Sequence, residues 1–228
     1  MQNQVSDKNS SQQPDGSWMG EVARTLVLSL VLALGIRSFV AEARWIPSGS
    51  MEPTLHGSPN QWEADKIIVD KLSYKFSNPQ RGDIVVFNPT KELQSENYQD
   101  AFIKRIVGLP GETVEIRDGK LYVNDKALSE DSYVKPVADE RNPQIKPQTP
   151  VLTSVDVCQT GLQPPFLSQS QKIPENSYLV LGDNRRSSYD GRCWGLVPRE
   201  KIIGRAVVRF WPLNNLGGID NSPLYPPQ

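Results

Sequence analysis

The chain has 228 residues, 22% of them charged, and a formal net charge of -1. So even a balance argues against an electrostatic nucleic-acid binder, and a hydrophobic content of 37% excludes a chain too polar to build a core. The 19 prolines and 16 glycines suit a turn-rich β protein, while two cysteines, Cys158 and Cys193, supply neither a disulfide framework nor a zinc signature and are compatible with one bridge or with two free thiols.

Residues 1–17 are rich in Gln, Asn, Ser and Asp without an apolar period, which predicts a disordered tail. The uncharged run Thr25–Ile36 is shorter than the ~20 residues of a spanning helix, but letting Arg24 and Arg37 snorkel widens it, and an anchor is placed over 18–43. By pattern the segment is equally a cleaved signal peptide, since Ala41-Glu42-Ala43 is itself an A-x-A site, and a buried core helix is a third reading. Lys8 and Arg24 before the run and Arg37 and Arg44 after it leave orientation undecided.

Strand and turn patterns follow. Lys66–Asp70 and Ile84–Phe87 read as strands, with Arg81-Gly82-Asp83 turning the chain between them. Phe102–Val107 is a third apolar run, ending before the turn at Leu109-Pro110-Gly111. Val114–Arg117 and Lys120–Val123 flank Asp118-Gly119, a pair suited to a hairpin whose two central residues need positive φ. Residues 129–173 are proline-rich and irregular; Tyr178–Leu181 and Ile202–Trp211 read as later strands.

Three segments could carry chemistry. Pro47-Ser48-Gly49-Ser50-Met51-Glu52-Pro53-Thr54-Leu55 holds two hydroxyls around a glycine, stiffened by prolines; it reads as a nucleophile loop or as a plain linker. In Phe102–Val107, strand alternation places Lys104 on one face with Phe102 and Ile106, and Arg105 on the other with Ile103 and Val107. A lysine desolvated among apolar neighbours can lose its proton and act as a base, whereas an arginine cannot; the alternative is two cations reaching solvent. Gly182–Arg192 is a polar loop able to orient a catalytic group, or a solvated turn. His56, the one histidine, sits beside Ser50 in sequence, which is not how triad members usually meet.

In this order the segments resemble the type I signal peptidases. The Ser50 loop, Arg81–Phe87, Lys104–Gly111 and Gly182–Arg192 with Trp194–Pro198 are similar to four signature segments of that family, and the likeness runs from about Ala43 to Phe210. It implies a mainly β fold: an N-terminal transmembrane helix, then an antiparallel-sheet catalytic domain over 44–228, with a second β lobe inserted over about 113–172. It implies that Ser50 is the nucleophile and Lys104 the general base. The Ser50 N–H and the Ser48 hydroxyl would form the oxyanion hole, and Ser188 would orient Lys104. Asp190 would pair with Arg192, while Arg105, Asp183 and Arg185 would be structural. Ile46, Met51, Leu55, Ile84, Val86, Phe102 and Ile103 are the expected substrate-binding residues. Arg186 and Ser187 depart from the Asp and Asn common in the family. The implied substrates are preproteins with small residues at -3 and -1, and the implied site is a plasma or thylakoid membrane with the catalytic domain on the periplasmic or lumenal side. No metal, cofactor, nucleic acid or obligate oligomer is expected.

Overall fold

The structure is a computed structural model that describes residues 17–130, 132–134, 158 and 166–219. Of the predicted tail over residues 1–17, all but Ser17, which is helical, lies outside the described residues, as does most of the proline-rich excursion. The described chain divides into two units, one ending at Phe39 and one from Val40 onward.

The first unit holds a single helix, α1 (Ser17–Phe39), whose residues Trp18–Phe39 are long and apolar enough to cross a membrane. Its 23 residues span about 34 Å, against a hydrocarbon core of about 30 Å. The predicted span to Ala43 is too long. Ala41–Trp45 forms strand β1, because its backbone pairs antiparallel with β2 (Lys66–Asp70), Ala41 opposite Asp70 and Trp45 opposite Lys66.

The second unit is mainly antiparallel β. Its larger sheet adds β3 (Ile84–Phe87), β4 (Phe102–Gly108), β9 (Ser177–Leu181), β10 (Val197–Pro198) and β11 (Ile202–Trp211), in the order β1-β2-β11-β3-β4-β9-β10, with β12 (Gly217–Gly218) beside β11. The smaller sheet is β5 (Thr113–Arg117), β6 (Lys120–Val123), β7 (Lys126–Ala127) and β8 (Gln171–Lys172), in the order β7-β6-β5-β8. Asp118 and Gly119 turn the β5–β6 hairpin with φ of 50° and 74°, the left-handed conformation their types allow.

Strand chemistry explains where the core lies. β2 alternates, with Ile67 and Val69 buried and Lys66, Ile68 and Asp70 partly open, so one of its faces is wet. β3 is buried at every position: Val85 and Phe87 join one apolar cluster with Ile106, Val180, Trp194 and Ile202, and Ile84 and Val86 join another with Ile46, Met51, Leu55 and Ile103. The central strands therefore have both faces covered, and a polar side chain there meets protein rather than water. Cys158 and Cys193 are disulfide-bonded, which ties the excursion to α3 (Gly191–Trp194).

Candidate active site

The Ser50 loop is held from beneath by its own apolar residues. Ile46, Met51 and Leu55 are buried in the core, and a short 3-10 turn, Gly49–Met51, carries Ser50 between them. Gly57 passes so close to the Ser48 backbone that a Cβ there would fall 1.8 Å from the Ser48 carbonyl oxygen, so only glycine fits. Ser50 is 7% exposed, and the Ser48 hydroxyl lies 3.3 Å from its Oγ as a donor.

β4 brings Lys104 to the same point. The residue is 3% exposed, and its Nζ donates to Ser50 Oγ at 2.8 Å and to the Ile103 carbonyl at 3.0 Å. Burial pushes the amine down to about 8, outweighing Asp190 and Asp183, which favour the charged form; Arg192 adds to the lowering. The Phe102 ring, on the same strand face, has its centroid 5.8 Å from Nζ.

Charged pairs fix the surrounding loops. Arg105, directed away from Lys104, makes a two-pronged pair with Asp183 at 2.8 and 2.7 Å and also donates to the Gly82 carbonyl. Asp183 accepts in turn from Thr54 Oγ1 at 2.6 Å, so one carboxylate joins β4, the Ser50 loop and the turn after β9. Asp190 receives Arg192 at 2.8 and 2.9 Å and the Gly182 N–H at 3.0 Å. Burial alone would raise that carboxyl, but Arg192 and the Gly182 N–H hold it below the usual range. Arg185 donates to the Gly182 carbonyl and pairs with Glu130.

Ser188 is fully buried, and the expected hydrogen bond from its Oγ to Lys104 is not formed. It lies against Gly182, where an added Cβ would sit 2.1 Å from Ser188 Oγ and 2.5 Å from the Ser50 carbonyl oxygen. Asn184 is a residue the sequence reading passed over. Its backbone N–H donates to the Ser50 carbonyl at 3.1 Å and its Nδ2 to the Gly49 carbonyl at 3.1 Å, clamping the turn that presents Ser50. The signal was there, since Asn184 stands within the quoted loop, but no spacing rule says which loop it will touch. His56 pairs with Glu52 at 2.7 Å and is more than half exposed.

A cleft of about 230 Å³ runs along the two segments that lead to Ser50 and Lys104. Of the expected substrate-binding residues, Ile46, Val86, Phe102 and Ile103 line it. Met51, Leu55 and Ile84 do not: each is fully buried in the apolar layer behind it, because the loop needs them as anchors. Arg44, Trp45 and Asp100, which the sequence did not single out as substrate-binding, line it too, with Pro47, Ile67 and Ala101.

The family described as signal peptidase, peptidase S26, matches the chain over residues 19–211. The chain belongs to that family. It is similar to signal peptidase I of Leptolyngbya laminosa (46% identity, covering 95% of this chain and 91% of that one). It is likewise similar to the probable signal peptidase I-2 of Synechocystis sp. (45% identity, covering 92% and 81%). It is 36% identical to thylakoidal processing peptidase 1, chloroplastic, of Arabidopsis thaliana, over 84% of this chain and 48% of that one. As a signal peptidase the chain is a serine endopeptidase, a hydrolase that removes signal peptides.

Proposed function

We propose that the chain cuts preproteins after small residues at -3 and -1 by a Ser–Lys dyad. The observation that carries this reading is the 2.8 Å contact between Lys104 Nζ and Ser50 Oγ, made by a buried lysine whose amine is pushed down to about 8. Neutral Lys104 accepts the Ser50 proton as Oγ attacks the scissile carbonyl carbon. The Ser50 N–H and the Ser48 hydroxyl take the oxyanion, and the Lys104 ammonium passes its proton to the departing amine. Water, deprotonated by Lys104, then releases the signal peptide from the acyl-enzyme. The Asp183–Arg105 and Asp190–Arg192 pairs hold the loops that align these groups.

An extended substrate laid between Trp45–Pro47 and Ala101–Ile103 would have its side chains in the cleft, whose small apolar volume favours alanine-sized groups. Helix α1 serves as a single membrane anchor, with the peptidase unit on the periplasmic or lumenal side of a plasma or thylakoid membrane.

The test is cleavage of a preprotein in detergent by the full chain beside Ser50→Ala, Lys104→Ala and Lys104→Arg. Wild type should cut after A-x-A and all three variants should be silent, the last because a guanidinium keeps its proton. Cutting by any variant refutes the dyad.

A further inference from the structure

The segment Thr90–Tyr98 lies outside all the signature segments, yet it is built as a rigid arm. Thr90 caps α2 (Lys91–Ser95) by accepting from the Leu93 N–H, and Leu93 is fully buried in the core. The helix ends on Asn97 at φ 68°, with Asn97 N–H donating to the Gln94 carbonyl and Tyr98 N–H to the Leu93 carbonyl, both at 3.0 Å. That two-bond lock, with a left-handed asparagine, fixes the directions in which Glu96 and Tyr98 leave the arm.

Both side chains reach the surroundings of Lys104. Glu96 accepts the Tyr189 hydroxyl at 2.7 and 2.8 Å, and Tyr189 stands between Ser188 and Asp190, which are fully buried. The Tyr98 ring lies edge-on to Phe102 at 5.4 Å and 6.0 Å from the Tyr189 ring. Phe102 stacks on Phe87 at 5.9 Å and is the ring nearest in strand register to Lys104. Tyr98 is 42% exposed, so it forms the outer layer of this aromatic stack.

We propose that the arm after α2 is a positioning element for the general base: Tyr98 roofs Phe102 and keeps water from the Lys104 amine, and Glu96 holds Tyr189 so that the Ser188–Asp190 turn stays packed beside it. This rests on the Ser–Lys reading above. The charges bearing on Lys104 are Asp190, Asp183 and Arg192, from the turn after β9 and from α3. The arm acts instead through hydration, since a wetter amine is easier to protonate.

The experiment is the pH profile of kcat/KM on a signal-peptide substrate, using the full chain in detergent. Tyr98→Ala should move the acid limb up by about one pH unit, so that the rate near pH 7 falls about tenfold and recovers at high pH. Tyr98→Phe, which keeps the ring, should restore the wild-type limb. Glu96→Ala should move the limb the same way, and Glu96→Gln, which keeps an acceptor for the hydroxyl, should restore it. An unmoved limb in the alanine variants, or a loss by the same factor at every pH, overturns the proposal. Lys104→Ala is run alongside: if it still cuts, the dyad reading itself has failed, whereas a silent Lys104→Ala with an unmoved Tyr98→Ala limb removes only the arm's role.

Discussion

An amine such as Lys104, 3% exposed, costs stability whenever it is charged. Its folded-state value near 8 lies below the usual 10.5, so below pH 8 the folded protein carries the full penalty, on the order of 3 kcal/mol. The penalty fades as pH rises from 8 to 10.5, where the folded amine is neutral and the unfolded one still binds a proton. Lys104→Met should therefore raise Tm at pH 7, and the gain should shrink toward pH 10, in thermal unfolding at matched salt. Asn184 predicts the reverse trade. Its Nδ2 bond to the Gly49 carbonyl steadies the Ser50 turn, so Asn184→Ala should lower kcat roughly tenfold with KM little changed, read from steady-state kinetics. The sequence located Ser50 and Lys104 through their neighbours. Asn184 stood in the quoted loop, but its role was not legible because the carbonyls it clamps, Gly49 and Ser50, lie far away along the chain.

At the scale of elements, β1 decides how the chain enters its sheet. The Ala41-Glu42-Ala43 site that sequence rules offer for cleavage is paired backbone to backbone with Ile68–Asp70, so it is strand rather than exposed peptide. A fragment beginning at Val40 keeps that strand, whereas one beginning at Ile46 leaves β2 as an unpaired edge over buried Ile67 and Val69. The first fragment should fold, and the second should lose about 2 kcal/mol or more and aggregate, as urea unfolding and gel filtration would show. β1 was not legible because Ala, Glu and Arg are poor strand formers without alternation; pairing, not propensity, makes it a strand. β2, β6 and β11, by contrast, are rich in β-branched and aromatic residues and were bounded from sequence alone.

Across the whole molecule, the Cys158–Cys193 bridge closes a long loop over a sequence separation of 35 and ends on α3, beside Arg192. Arg192 holds Asp190 and donates to the carbonyls of Arg185 and Ser188, so the bridge braces the turn next to Lys104. Replacing both cysteines by serine should cost about 3–4 kcal/mol in the chain-entropy view, measured by denaturant unfolding. Intact mass before and after reduction should differ by two hydrogens. Sequence left this pairing open because two cysteines so far apart meet only if the fold brings them together.

Local chemistry determined much of this protein without any tertiary information. Alternating apolar residues set the strands, Asp118-Gly119 set a hairpin, and four short segments in a fixed order carried the resemblance to the family. Each of these signals is itself written within a few consecutive residues. Tertiary structure alone decided how those segments meet: the dry setting that lowers Lys104, the retreat of Met51, Leu55 and Ile84 into the core, the Asn184 clamp and the arm over Phe102. Each depends on desolvation or on contacts between residues distant along the chain, and both exist only after the sheets have packed.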